Sequence, residues 1–354
     1  MPAPSSLTLN YDAILSTTLF NYRKTMEDQI STSNTLFYML KKREDGWKEV
    51  SNIGERMQVP LMYGLGVADT YNGYDNLTRT PVDGITSAFW EWRQLSASIM
   101  ISRREERQNA GEAKIVDLLK SKTKQAMLGL EDLFGRILLQ GNGVNLATAI
   151  TTPYTSANNT SLGFDPLPLL VKFDPTTSTV IGNLNQSTQT WWRNQFSNSA
   201  ATTYAAFLKE LRKLKNNCSK GPGGTPNLYI ADQNVHEFIE AALTVFHQNP
   251  TWKKADIPFD NFTLFGEPCV WDEFVPDVAG GTTVQSTTSG TLFALNTKFI
   301  QLQVDSQTNF MNTPFERAAQ QDAKSADILW MGGIGVSQRR KQGVMGSIDT
   351  TVSS

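Results

Sequence analysis

The chain has 354 residues and a mass of 39.3 kDa, with 32 basic and 34 acidic side chains and a formal net charge of −2. Hydrophobic residues make up 40% and charged residues only 19%, which excludes a disordered chain and allows a sizeable core in one large domain or two intimate ones. A pI near 5.8, with charge spread evenly along the chain, argues against a protein that grips nucleic acid through a strongly basic surface.

The sequence opens on a Pro/Ser-rich lead, and Met1 to Leu7 lacks the basic-then-apolar pattern of a signal peptide. No apolar stretch approaches the ~20 residues of a membrane span, so a soluble protein made inside the cell is expected, with no membrane partner. Residues 1–46 carry helix-like pieces around Tyr11 to Phe20 and over Thr35 to Lys42, too little for a core of their own. Arg56 to Tyr63 reads as a strand that Pro60 confines to an edge. Ile85 to Ser102 reads as a second, longer strand, with Trp90 and Trp92 packing on a sheet. Between them Gly64 to Gly84 is rich in Gly, Tyr, Asn and Asp, so the two strands predict a large protruding hairpin. Such a ribbon is marginal alone in water and needs a partner surface.

Asn109 and Glu112 form a capping box, and Ile115, Leu119, Ala126, Leu130, Phe134 and Ile137 recur at helical spacing. The pattern predicts one helix from Glu112 to Leu139, roughly 42 Å long at ~1.5 Å per residue. Residues 141–201 are poor in charge and rich in Thr, Asn and Ser, ending in Trp191-Trp192. Two readings stand for them: a surface loop system with short strands, or a contact surface. A helix over Thr203 to Asn216, a strand over Asn227 to Ala231, a helix over Asp232 to His247 and a strand pair around Gly266-Glu267 follow. A loop over Ala279 to Gly290 leads into a strand over Thr291 to Val304, and the last strands are Asp327 to Met331 and Val336 to Ile348. This order predicts an α+β fold.

The catalytic inventory is thin. His236 and His247 are the only histidines and are expected on the surface or at a helix end; Cys218 and Cys269 are expected to be inert thiols. Gly221-Pro222-Gly223-Gly224 precedes a strand rather than following one, and Gly332-Gly333-Ile334-Gly335 opens no helix, so neither cradles a phosphate. No metal, no cofactor and no enzyme activity are expected, since only carboxylates such as Asp272 and Glu273 remain as candidates.

Several segments carry a resemblance. They are Phe89-Trp90-Glu91-Trp92 through Ile99 to Ser102, then Glu106, Asn109 and Gly111, Asn227 to Ile230, Phe265 to Asp272, and Thr313-Pro314-Phe315 with Asp327 to Arg340 and Gly343. In this order, over about residues 10 to 349, the chain resembles the major capsid proteins of tailed bacteriophages, whose fold is named after phage Hong Kong 97. The resemblance implies an N-terminal arm (1–46), an extended β-hairpin loop (47–102) and a long spine helix with the first part of a peripheral domain (103–145). An axial domain (146–290) and the C-terminal part of the peripheral domain (291–354) complete it. It further implies a virion shell protein, made in the host cytoplasm, whose copies form hexamers and pentamers of an icosahedral shell around double-stranded DNA held without sequence specificity. Portal, scaffold and decoration proteins are the other partners it suggests; an encapsulin-like cellular shell with an enzyme cargo is the alternative. The pattern starts near Tyr11 and leaves no room for a long built-in scaffolding region, so a separate scaffold or none is expected.

Tyr63, Tyr71 and Tyr74 at the hairpin tip, and Trp191 and Trp192, are candidate contacts between copies. Arg103, Arg104 and Arg107, beside Glu105 and Glu106, read either as a solvated helix face or as an inter-subunit ion-pair cluster. Arg339, Arg340 and Lys341 are candidates for facing DNA or a neighbour, against the plainer reading of a solvated turn. Some relatives crosslink their shells through a lysine of the extended loop. Here that loop's one lysine is Lys48, at its base, and Gly64 to Gly84 has none. Assembled particles boiled in detergent should therefore run as a single monomer band; a ladder of covalent oligomers would refute this.

Overall fold

The structure is a computed structural model. It describes residues 35–42, 46–51, 54–77, 80–108, 118–144, 150–152, 163–246, 261–283, 285–286, 288–317 and 321–352. In chain order the elements begin with α1 (Thr35–Lys42), β1 (Trp47–Val50), β2 (Met57–Met62), β3 (Ile85–Trp90), β4 (Arg93–Ser102), α2 (Arg103–Gln108) and α3 (Leu118–Gln140). Then come α4 (Leu167–Leu170), β5 (Val180–Ile181), β6 (Leu184–Asn185), β7 (Gln195–Asn198), α5 (Tyr204–Ser219), β8 (Leu228–Ala231), α6 (Gln233–Phe246), β9 (Asn261–Leu264) and β10 (Glu267–Trp271). The rest are β11 (Ser289–Leu295), β12 (Ile300–Asp305), β13 (Met311–Asn312), β14 (Glu316–Arg317), β15 (Ala323–Val336) and β16 (Gly343–Asp349). They fall into two compact units. The smaller takes its described residues from Leu95–Leu133 and Thr308–Trp330, the larger from Ser33–Gln94, Phe134–Gln307 and Met331–Ser354.

The larger unit is built on a mixed sheet in the order β7-β16-β11-β8-β10-β9. All four residues of β8 are buried, as expected of a strand covered on both faces. Helix α5 starts where the Thr203 side chain accepts the Ala206 N–H at 3.3 Å, and it turns Phe207, Leu211, Leu214 and Cys218 into the core. Helix α6 starts on Asp232, whose carboxylate accepts the N–H groups of Val235 (2.8 Å) and Thr291 (3.1 Å) and so ties the helix to β11. Both helices share one cluster with Tyr229, Phe262, Cys269, Leu292 and Met345. Elsewhere in this unit β1 pairs parallel with β12, and β12 pairs antiparallel with Gly332–Val336 of β15. Phe37 of α1 meets the rings of Trp47 and Phe134 edge-on. Asp272 accepts the Thr35 N–H (3.2 Å) at the start of α1 and the Phe274 N–H (3.0 Å), capping a helix 237 positions away. In the smaller unit β13 and β14 pair antiparallel with the first half of β15, and Lys122 of α3 bonds Met100 O and Glu105.

Several expectations need correction. The stretch Ile85 to Ser102 is two strands broken at Glu91-Trp92, because β3 pairs with β2 whereas β4 pairs with β15. Thr291 to Val304 is also two strands, parted by a 3-10 turn at Thr297–Phe299 that Asn296 caps. These two strands belong to different sheets, and β16 lies between β7 and β11, so the boundary expected at residue 290 is not where the sheets divide. Asp327 to Met331 is the middle of β15, which continues straight through Gly332, Gly333 and Gly335, and the final strand starts only at Gly343. The hairpin between β9 and β10 turns at Phe265-Gly266, both with positive φ (54° and 88°), as a type I′ turn requires. Of the two places expected for His236, the helix end is the one found: it lies in the first turn of α6, buried against Phe262. The capping box at Asn109 and Glu112, the helix-like piece at Tyr11 to Phe20 and His247 lie outside the described residues.

Arg339 and Lys341 are corrected as well. Both are fully buried, so neither can face DNA or a neighbouring copy; Arg340 alone of the three is exposed. A 3-10 turn turns Arg339 inward, where it donates to Leu170 O (2.8 Å), Trp192 O (3.0 Å), Gln186 Oε1 (3.2 Å) and Asn194 Oδ1 (3.0 Å). Its guanidinium also lies 5.8 Å from the Trp192 ring centre. Burial presses its pKa down to about 9, which still leaves a cation at neutral pH. Lys341 donates to the carbonyls of Lys220, Gly221 and Gly224 and so fastens the Gly-Pro-Gly-Gly loop.

Two predictions follow from these buried groups. Arg339→Ala takes the donor from buried Leu170 O, Trp192 O and Gln186 Oε1, while Asn194 Oδ1 keeps the Lys172 N–H (3.1 Å), and should lower unfolding stability by about 3 kcal/mol or more, with Arg339→Lys recovering only part; chemical denaturation measures both. Burial raises the Asp272 carboxyl from 3.8 to about 6, so the folded state binds the extra proton between those values. Its contribution is present below 3.8 and lost as the pH rises through about 6. Asp272→Asn should therefore gain on the parent protein across that window, by up to about 3 kcal/mol, in denaturation series at stepped pH. A difference independent of pH would contradict it.

Candidate assembly surfaces

The hairpin of β2 and β3 has a rooted end and a bare end. Its register runs from Met57↔Trp90 to Met62↔Ile85, and Tyr63 N–H still donates to Gly84 O (2.8 Å) beyond the last strand pair. At the root Met57, Leu61, Ala88 and Trp90 are buried with Trp192 in one cluster, against which Val59, Trp92, Leu184 and Trp191 pack. Phe89 N–H donates to Gly182 O (3.1 Å), joining the ribbon to the β5–β6 turn. The Trp90 ring needs flat neighbours: a Cβ at Gly335 would stand 3.0 Å from it and one at Gly182 3.1 Å. That is the use of Gly335 in β15, while Gly333 makes room for the end of Met57.

The tip is different. Leu65 is 86% exposed, Met62 77%, Ile85 72%, Tyr71 70% and Tyr74 105%. Val67, Leu77 and Val82 are exposed too, and the segment carries Asp69, Asp75 and Asp83. Apolar side chains grouped at this density on one exposed protrusion mark a contact surface. Of the candidate residues, Tyr71 and Tyr74 lie on this tip. Tyr63 sits at its lower end, its ring stacked 5.1 Å from that of Trp191. Trp192 is withdrawn into the core, with its Nε1–H donating to Ile181 O (3.0 Å), so it is not a contact between copies. Leu65, Val67 and Ile85 were missed because single apolar residues among glycines give no periodic signal.

Arg103, Arg104 and Arg107 form an exposed group on α2, in the smaller unit, and line a shallow depression with Asp322. The acidic members of the run are already engaged: Glu105 pairs with Lys122 (2.9 Å) and Glu106 with Lys324 (2.8 Å). The hydrogen bond from Lys122 holds the Glu105 carboxyl below its ordinary range, and that from Lys324 does the same for Glu106. Arg103 reaches Asp322 only at 3.7 Å, with both side chains well exposed. The face therefore presents more positive than negative charge.

A half-open cavity of about 250 Å³ lies at the hairpin root, lined by Arg56, Trp90, Glu91, Arg93, Phe164 and Asp165 among others. Burial raises Asp165 to about 6, against the pull of Arg93, which itself pairs with Glu91 at 2.7 Å. The cavity lining holds no histidine, cysteine, serine or threonine, hence no nucleophile with a base beside it. Among the described residues no group of three or more His, Cys, Asp or Glu could hold a metal, and no helix is long and apolar enough to cross a membrane.

No family model and no curated protein sequence matches the chain. Solved structures do. The chain is similar to the capsid protein of cyanophage A-1(L), with a TM-score of 0.67 at 12% identity, over 93% of this chain and 97% of that one. It is also similar to the SrpI encapsulin of Synechococcus elongatus PCC 7942, in its holo complex, with a TM-score of 0.58 at 10% identity over 98% and 99% of the two chains. The capsid protein of an empty GTA particle matches with a TM-score of 0.56 at 10% identity, over 97% and 100%. Nearly end-to-end superposition at such low identity identifies an architecture, and the architecture of this chain is the Hong Kong 97-like fold of phage capsid and encapsulin shells.

Proposed function

We propose that this chain is a structural protein whose identical copies assemble into a closed shell. The observation that carries the reading is the ribbon tip: a rigidly rooted hairpin in a shell-type fold that ends in exposed Leu65, Tyr71, Tyr74 and Ile85. Each such side chain contributes about 1.5–3 kcal/mol once fully buried, and a second copy can supply the missing surface at every position of a symmetric assembly. The exposed arginines Arg103, Arg104 and Arg107 are the second candidate contact, suited to carboxylates such as those of the tip.

In its finer form the proposal is a phage major capsid protein, forming hexamers and pentamers of an icosahedral virion shell around double-stranded DNA, with a portal and scaffold or decoration proteins as partners. A net charge of −2 suits a wall that must enclose DNA without adhering to it. The five-segment division into arm, extended loop, spine helix, axial and peripheral domains belongs to the same proposal, with the strand placements corrected above. The match to an encapsulin favours a second reading, a cellular container for an enzyme cargo. No catalytic role is proposed under either.

Electron microscopy of the purified protein should show closed shells of uniform size, and replacing Leu65 and Tyr74 together by Asp should abolish them while leaving the melting temperature of the subunit unchanged. Reversing Arg103 and Arg104 to Glu should weaken assembly in the same assay. A chain that stays monomeric at every concentration would overturn the proposal. Nucleic acid inside the shells supports the virion reading, and a co-purifying enzyme supports the cellular one.

A further inference from the structure

We propose that the Asn72–Gly73 peptide at the ribbon tip is a self-modification site, where Asn72 loses ammonia through a cyclic imide and ends as aspartate or isoaspartate. The inference stands on the chemistry of this one peptide and does not depend on assembly. Three observations meet there. Asn72 and Gly73 are both exposed, and a Cβ built on Gly73 would meet nothing within 4 Å, so water and the reacting groups have free access. Gly73 N–H donates to Asn72 Oδ1 at 2.9 Å, so the Asn72 side chain is folded over the peptide that follows it. The turn keeps it there: Asn72 N–H donates to Asp75 Oδ2 (2.8 Å), and Asp75 N–H donates back to Asn72 O (2.7 Å).

The reaction is an intramolecular acyl transfer, and proximity is its main requirement. The Gly73 amide gives up its proton to solvent base, and its nitrogen bonds to the Asn72 side-chain carbonyl carbon. The bond from that carbon to Nδ2 breaks, and the nitrogen leaves as ammonia after taking up a proton. Water then opens either carbonyl of the five-membered imide, giving aspartate or isoaspartate. The balance is one water consumed and one ammonia released, with no redox partner. A glycine on the C-terminal side places no Cβ in the path of the attacking nitrogen.

The second Asn-Gly pair in the chain, Asn142–Gly143, provides an internal comparison. It lies within the 3-10 turn Gly141–Val144, its Asn is half-buried, and Asn142 N–H donates to Thr152 O at 2.9 Å. Helical backbone directs the next N–H along the axis, away from the asparagine side chain. The two pairs share a sequence but not a geometry. Conversion at the tip adds a negative charge beside Asp69, Asp75 and Asp83 and, on the isoaspartate branch, one extra backbone carbon.

The test ages the full-length chain in warm, mildly alkaline buffer and follows both Asn-Gly peptides by mass and by an isoaspartate-specific methyl-transfer assay. The peptide containing Asn72 should gain the mass difference between amide and acid, with isoaspartate present, well ahead of the peptide containing Asn142. Gly73→Ala should slow this on the order of tenfold, and Asn72→Gln should abolish it, neither changing the melting temperature of so exposed a turn. Equal rates at the two asparagines, faster conversion at Asn142, or an undiminished rate in Gly73→Ala would each overturn the proposal.

Discussion

Trp90 lies against backbone from which side chains have been removed. A Cβ at Gly335 or Gly182 would press on its ring, and Trp192 closes the cluster from a third side. Everything that the hairpin does outward depends on this seat. A two-stranded ribbon has too little surface of its own to stay ordered in water; this one borrows order at one end, where Met57, Leu61 and Ala88 are buried with the tryptophans, and carries it to the other. The glycines are costly in unfolded-state entropy, and a flat bed for an indole is what they provide in return.

Away from that seat the larger unit relies on polar clamps as much as on oil. Residues 171–203 hold little regular structure, and their backbone groups need partners that helices and sheets would otherwise supply. Arg339 satisfies two carbonyls and two side-chain amides at once, Lys341 three carbonyls of the glycine loop, and Asn296 two more, those of Gly223 and Thr225. Asp232 and Asp272 do the complementary work for N–H groups. Each clamp joins segments far apart in sequence, so a loop-rich chain gains the cross-bracing that a longer strand would have given.

The periodic elements were legible in the sequence. Helix α5, helix α6 and the strands β2 and β8 lie within a few residues of expectation, because the helices and β2 advertise one buried face and β8 is a short apolar run buried throughout. The exposed character of Tyr71 and Tyr74 was legible for the same reason in reverse, since a Gly/Asn/Asp-rich stretch cannot bury them alone. What failed were readings that needed a partner from elsewhere in the chain. A run of Gly-Gly-Ile-Gly stands as a gap between two expected strands until Trp90 and Met57 are laid on it. Arg339 and Lys341 look like surface charges until the carbonyls around them are found. Breaks at Glu91-Trp92 and Thr297–Phe299 leave no mark, since a strand that changes sheets keeps its β-branched and aromatic composition.

The place of β16 inside its sheet, between β7 and β11, bears on when the molecule becomes itself. Residues 195–198 leave the ribosome long before residues 343–349, and in the interval β7 lacks the neighbour it is built to pair with. The nascent polypeptide can form its helices early but must wait to close this layer, a non-local step of the kind that slows folding. A chain still under synthesis thus lacks the strand that completes its main layer, and order of manufacture sets the moment at which that layer can close.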